Sequence, residues 1–210
     1  MGDHVGMNHV GVAAPMTAAG VTQRLSALLD FVSAIAYART HDELMAAMAR
    51  EGRLALGASA LSMSVWERER GQIRTLVNAV EEQDSSVMPG DDDEVYLLAH
   101  EDATRRLLTA GEGYVLTVDD EFGDPAIKGL LTALGRRSCL AVPVQVDGRV
   151  WGEMWASRTA DQPDFVDDDL DFAALVALQA GAGIARADHL SRVEGLAYSD
   201  DLTDLANRRS

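Results

Sequence analysis

The chain has 210 residues, 47% of them hydrophobic, and a formal net charge of −16. That composition is globular rather than disordered, and the excess acid excludes a phosphate-backbone binder, which needs a basic face. Cys139 is the only cysteine, so an internal disulfide is excluded, and a reducing, cytoplasmic location is predicted.

Residues 1–20 show no periodicity and no basic, continuously apolar leader, so a flexible tail is expected there, not a signal peptide. His4 and His9 lie in this tail without partners in sequence. Residues 21–39 form the first amphipathic helix, with Leu25, Leu28, Leu29, Val32, Ile35 and Ala36 as its apolar face. Thr40 is the predicted cap of a second helix, with Glu43 in capping-box position and Gly57 as its stop.

Residues 60–67 alternate. Leu61, Met63 and Val65 fall on one face and Ser62, Ser64 and Trp66 on the other. Arg70-Gly71 is read as the turn and 73–80 as the return strand. Residues 81–94 are acidic and contain Pro89-Gly90, which predicts a loop, followed by a short strand over 94–98. Residues 102–110 read as a helix, 114–118 as a strand, and 124–134 as a helix with Pro125 in its first turn. The clearest hairpin joins 138–146 to 149–157 through Asp147-Gly148.

The last helix starts near Phe165. Its acidic first turns hold Asp167, Asp168, Asp169 and Asp171, where the helix dipole favours negative charge. An apolar stripe then runs through Leu170, Ala174, Ala177, Gly181, Ile184 and Ala185, with a stop expected near Gly195. The longest apolar stretch, 172–185, falls short of the roughly 18 residues of a membrane span, so no membrane insertion is predicted. The order of elements predicts an α+β fold. Its central sheet is mostly antiparallel, with five or six strands; the first and last helices pack together on one face, short helices and loops on the other.

Two stretches resemble known families. Ala141-Val142-Pro143, Gly148, Gly152, Phe165, Asp169, Ala177, Gln179 and Ile184 resemble the C-terminal half of a GAF domain, and residues 21–188 fit that family throughout. Asp200-Asp201-Leu202-Thr203-Asp204-Leu205-Ala206-Asn207-Arg208-Arg209 resembles the opening motif of a GGDEF domain, with Asp204 where the family usually has Gly. The matching positions are Asp200, Leu202, Thr203, Leu205, Asn207, Arg208 and Arg209. The resemblance implies a GAF sensory domain over 21–188, a signalling-helix linker over 189–199, and the truncated start of a GGDEF domain over 200–210. It implies regulation of a diguanylate cyclase, in which two GGDEF domains each hold one GTP and condense them to cyclic di-GMP. The catalytic signature lies beyond Ser210, so the chain as given is expected to be regulatory, not enzymatic. A homodimer through the first and last helices is the implied partner.

Within the GAF resemblance, Ser62, Ser64, Trp66, His100, Glu153 and Trp155 are the candidate ligand-pocket residues, the cofactor is unknown, and no metal set or catalytic residue is predicted. Strict alternation puts Trp151, Glu153 and Trp155 on one face of their strand. Two readings stay open for them: a pocket floor, with Trp stacking a flat or cationic ligand and Glu153 accepting its hydrogen bonds, or a half-exposed face with Glu153 paired to Arg74 or another arginine. His100 is either a haem ligand or a loop histidine. Cys139 is a bilin anchor, a redox thiol of a GAF-fold reductase, or a small core residue; Ser138 and Leu140 flank it where bilin-binding domains usually carry a His. A GAF fold that binds nothing and serves as a dimerisation scaffold is the remaining alternative.

Overall fold

The computed structural model describes residues 17–81, 95–97 and 102–206, the last of these beyond Val193 as helix backbone. His4, His9, the acidic run 91–94, most of the loop before it, and His100 lie outside the described residues.

Helix α1 spans Ala18–Tyr37. It starts earlier than its apolar periodicity suggests because the Thr17 hydroxyl accepts a hydrogen bond from the Gly20 amide at 3.2 Å. Helix α2 spans His41–Ala55. The Glu43 amide donates to the Thr40 hydroxyl at 3.1 Å, and the Glu43 carboxylate accepts from the Arg39 amide at 2.8 Å, so the capping box closes one residue upstream of its usual donor.

Strands β1 (Ala60–Glu67), β2 (Gln72–Val80) and β3 (Val95–Leu97) precede α3 (Asp102–Ala110) and β4 (Tyr114–Thr117). Helix α4 (Pro125–Ala133), β5 (Ser138–Val146), β6 (Arg149–Arg158) and α5 (Asp167–Ala206) complete the chain. The strands form one six-stranded sheet in the order β3-β2-β1-β6-β5-β4, antiparallel throughout. Asp147 and Gly148 both have positive φ, 50° and 74°, as a type I′ hairpin turn demands. The β1–β2 connection is longer than a two-residue turn: a 3-10 turn over Arg68–Arg70 is closed by Gly71 at φ 62°.

Each face of the sheet carries its own core. On one side α1, α2 and α5 pack together: Phe31, Met48, Val176 and Ile184 meet Leu61, Met63, Val142 and Met154. On the other side α3 and α4 bring Leu107, Leu108, Ile127 and Leu131 against Ile73, Cys139, Ala141 and Trp155. This is the α+β arrangement the sequence predicts. Gly152 sits where β6 crosses β1; a Cβ there would lie 1.9 Å from the Ser64 carbonyl oxygen, so only glycine fits.

Helix α5 departs from expectation in length. It runs unbroken through Gly195 to Ala206. One glycine costs about 1 kcal/mol relative to alanine, too little to stop a helix with good formers on both sides. By length and mean hydropathy (1.3) residues Asp167–Val193 would also reach across a membrane, longer than the apolar stretch read from sequence. Their apolar stripe, Phe172, Ala173, Val176, Ala177, Ala180 and Ile184, is instead spent in the domain core.

Helix α4 offers a direct check of propensity against packing. Gly129 is exposed, and a Cβ there would meet nothing within 4 Å. Gly129→Ala is therefore expected to stabilise the protein by about 0.5–1 kcal/mol, read as a higher urea midpoint at unchanged slope.

Candidate functional site

The candidate site lies on the α3/α4 face of the sheet and is built from two adjacent cross-strand rungs. In one, Asn78 on β2 pairs with Ser62 on β1, which pairs with Trp155 on β6. In the next, Thr75 pairs with Ser64, which pairs with Glu153. Strict alternation along β2 would send Asn78 and Thr75 to opposite faces. A β-bulge at Leu76, opposite the Met63/Ser64 step, brings them to the same one.

A second bulge acts on β6. Val144 pairs with Gly152 and Gln145 with Val150, leaving Trp151 as the extra residue. Trp151 consequently packs on the helical core of α1, α2 and α5, whereas Glu153 and Trp155 face α3 and α4. The expectation that Trp151, Glu153 and Trp155 share a face is thus corrected; the bulge reverses the alternation between them.

These rungs floor a cavity of about 40 Å³. Ser62, Ser64, Glu153 and Trp155 all line it, together with Thr75 and Asn78. Thr104 of α3 and Tyr114 of β4 form one wall, their hydroxyls 3.4 Å apart, and Ile127, Leu130 and Leu134 form an apolar roof. The Ser64 and Thr75 hydroxyls bond at 3.3 Å. Glu153 is only 8% exposed, so the half-exposed face is not what forms. Arg74 donates to Glu67 at 2.8 Å, and both Arg74 and Glu153 make further interactions.

Trp66, though predicted for the pocket, is not part of its lining. It packs at the edge of the α3/α4 core and stacks under the Arg68 guanidinium at 3.7 Å. Asn78, Thr104 and Tyr114 were missed by sequence reasoning. For Asn78 the deciding feature was the bulge, which is set by the partner strand and not by the sequence of β2 alone. Nothing local marked the other two.

The volume bears on ligand size. A cavity of about 40 Å³ holds about three waters, since each needs roughly 10–15 Å³. Sites for drug-sized ligands run to about 300–1,000 Å³, so a tetrapyrrole does not fit this space. Among the described residues no group of three or more His, Cys, Asp or Glu is placed to hold a metal ion.

Cys139 is fully buried on β5, and burial, with a smaller contribution from the Glu153 charge, pushes its thiol far above the ordinary range. The thiolate is the reactive form, so this side chain acts as a small core residue, not as a nucleophile. A thiol reagent at pH 8 is expected to label Cys139 only as fast as the domain opens, with labelling accelerating steeply as urea is added. Immediate labelling of native protein would revive the reductase reading.

The far end of β6 is tied to the helices. The Asp169 carboxylate, in the first turn of α5, accepts from Arg24 of α1 at 2.6 Å and from Arg158 of β6 at 3.3 Å. Arg158 also donates to the carbonyls of Leu56 at 2.6 Å and Gly57 at 3.1 Å beyond α2, and stacks on Phe165. Arg24 donates to the Asp168 carbonyl at 2.7 Å. One carboxylate thereby joins the strand that carries Glu153 and Trp155 to α1 and α5.

A third feature lies on the outside. Val21, Leu25 and Leu29 on α1, and Leu175, Leu178, Leu190 and Val193 on α5, are all about half exposed or more. Asp200, Leu202, Thr203 and Leu205 lie on the last turns of α5, where only the backbone is described; Asn207, Arg208 and Arg209 lie outside the described residues.

The antiparallel sheet thus carries the terminal helices on one face and a side-chain-lined cavity on the other, an α+β arrangement. Residues 17–184 match the family model described as GAF domain, and the chain belongs to the GAF family. Solved structures agree on the fold. The phycoerythrobilin-bound GAF domain from a cyanobacterial phytochrome is 17% identical with a TM-score of 0.64, covering 82% of this chain and 99% of that one. The GAF domain from Acinetobacter phosphoenolpyruvate-protein phosphotransferase is 15% identical with a TM-score of 0.61, covering 80% of this chain and 97% of that one. The Stigmatella aurantiaca phytochrome photosensory core module is 14% identical with a TM-score of 0.68, over 94% of this chain and 44% of that one. An uncharacterized protein in the hutH 5' region of Streptomyces griseus is 45% identical over 67 residues, which are 32% of this chain and 28% of that relative.

Proposed function

We propose that this chain is the regulatory GAF module of a cyclic di-GMP signalling protein of the cytoplasm. It couples ligand binding, or a change in dimer packing, to a GGDEF diguanylate cyclase domain that begins near Asp200. The observation that carries this reading is α5: it leaves the domain as one helix and continues into the motif from Asp200 to Arg209. A helix without a break is the simplest element that transmits a rotation or shift from one domain to another.

The proposed partner is a second copy. The half-exposed leucines and valines of α1 and α5 offer a two-helix apolar surface of the kind that dimers bury. In this reading two copies pack through α1 and α5, and a ligand acts only by its different affinity for two arrangements of that bundle.

Light scattering on the full chain tests the dimer. A dimer that dissociates on dilution is expected, with Leu178→Asp shifting it to monomer at concentrations where the parent chain associates. A strict monomer at high concentration would count against the reading. Coding sequence past Ser210 without a GGDEF signature would end its cyclase part. The small cavity favours a second reading, a GAF dimerisation scaffold that responds to no ligand. Under that reading Trp155→Ala alters stability and abolishes no ligand response.

A further inference from the structure

Helix α5 carries a second pattern on its outer side, and the two ends of that pattern differ in charge. Asp171, Leu175, Leu178, Ala182, Ala185, His189 and Arg192 follow one another at alternating four- and three-residue steps, the spacing of a two-helix seam. All are exposed except Ala185, which is half-buried. The start of the seam borders a groove of about 350 Å³ between α1 and α5. Val21 and Leu25 of α1 and Phe172 and Leu175 of α5 make the groove apolar, and Asp168 and Asp171 line it with acid.

The end of the seam has the opposite character. Helix α1 stops at Tyr37, close to where Arg186 donates to the Ile35 carbonyl at 2.8 Å. From Asp188 to Val193 every residue of α5 is exposed. Leu190 and Val193 are about half exposed there, beside the basic side chains of His189 and Arg192. An apolar groove edged with acid and an apolar segment edged with base thus lie on one helix. Within one copy they cannot meet, because Asp171 and His189 are about 27 Å apart along a straight helix.

Two copies join them when their α5 helices run antiparallel. With a two-fold axis at the height of Ala180, Leu178 faces Ala182 of the second copy, Leu175 faces Ala185, Asp171 faces His189 and Asp168 faces Arg192. Each large side chain meets a small one, and each carboxylate meets a donor. A parallel pair instead sets every residue against its own counterpart. Asp168 and Asp171 then meet two more carboxylates, and Arg192 meets Arg192. A chain already at −16 tolerates that clustering of like charge poorly.

We propose that two copies pair antiparallel through α5, the segment from His189 to Val193 of each lying in the α1/α5 groove of the other. This rests on the reading of α1 and α5 as a dimer surface and supplies one of its two arrangements. In it the segments that begin at Asp200 start about 60 Å apart along the helix axis, so domains that act as a pair are kept from meeting.

Cysteine cross-linking of the full chain tests the orientation. Leu175→Cys and Ala185→Cys each place one thiol on the seam, and the native Cys139 is buried. A short bis-maleimide is expected to join the two variants when they are mixed. Either variant alone should join to itself at less than about a tenth of that yield, because like positions lie about 15 Å apart along the axis. Efficient self-joining of each variant would show a parallel pair, which overturns the proposal and leaves the dimer reading standing. A dimer in which neither the mixture nor the single variants join has its interface elsewhere and also overturns it. A strict monomer by light scattering overturns both. Charge exchange gives an independent readout. Arg192→Asp and Asp168→Arg should each weaken dimerisation about fivefold or more, and the double variant should return to within about twofold of the parent. A double variant no tighter than either single one overturns the pairing.

Discussion

Gly181→Ala is expected to destabilise the protein by about 3 kcal/mol, although alanine is the better helix former. Helix α5 crosses β5 so closely at this position that a Cβ would lie 2.0 Å from the Gln145 carbonyl oxygen. Propensity gains at most about 1 kcal/mol. Overpacking costs about 1–3 kcal/mol when side chains can shift, and more when they cannot. Here the obstacle is backbone within the β5–β6 hairpin, so α5 itself must move, and the packing term wins. Gly183, two residues on, makes the contrast: its Cβ would meet the terminal methyl of Met48 at 2.9 Å, which can swing away. Urea midpoints for the Gly181, Gly183 and Gly129 alanine variants are the measurement. A Gly181→Ala protein as stable as the parent would mean that α5 is not seated on β5 as described.

The second large effect is expected at Asp169. Asp169→Ala should cost about 2 kcal/mol, because it strands two guanidinium groups that are mostly out of water. The Arg24 and Arg158 side chains are 24% and 13% exposed, so solvent recovers part of the loss and the cost falls below that of a fully buried pair. Asp169→Asn should fall between, since an amide oxygen still accepts one bond. The location of the damage matters more than its size. Hydrogen exchange over residues 18–30 should accelerate, because Arg24 is the ionic tie of α1 to the start of α5. Exchange across β1 and β5 should stay near that of the parent. Loss of protection spread evenly over the sheet would show that the cluster is a general stabiliser and not a tie between helices.

Much of the fold was legible in sequence because its signals are local. Thr40 with Glu43, Pro125, and Asp147-Gly148 each fix an element boundary through their own backbone chemistry. The periodicity of α1 and α5 assigned both helices, and the alternation of residues 60–67 separated the core face from the cavity face. Four of the pocket residues read from sequence, Ser62, Ser64, Glu153 and Trp155, do line one cavity. What alternation could not supply was the pair of bulges, at Leu76 and Trp151, because a bulge is defined by the partner strand. The first delivers Asn78 to the site and the second removes Trp151 from that face. The same limit hid Thr104 and Tyr114, which reach the cavity from elements distant in sequence. The stop expected at Gly195 failed for a different reason: a single weak helix former was weighed as a terminator when its neighbours outweigh it.

At about 1.5 Å per residue the 40 residues of α5 make a rod roughly 60 Å long. Its first half carries the buried residues Phe172 to Ile184, and from Asp188 to Val193 every residue is exposed. Each residue of such a rod also advances about 100° around its axis. Whatever follows α5 is therefore presented at an angle set by a residue count. One residue added beyond Asp188 would swing it about 100°, while seven would return it to within about 20° of where it began. In the exposed stretch from Asp188 to Val193, length therefore sets angle as well as distance.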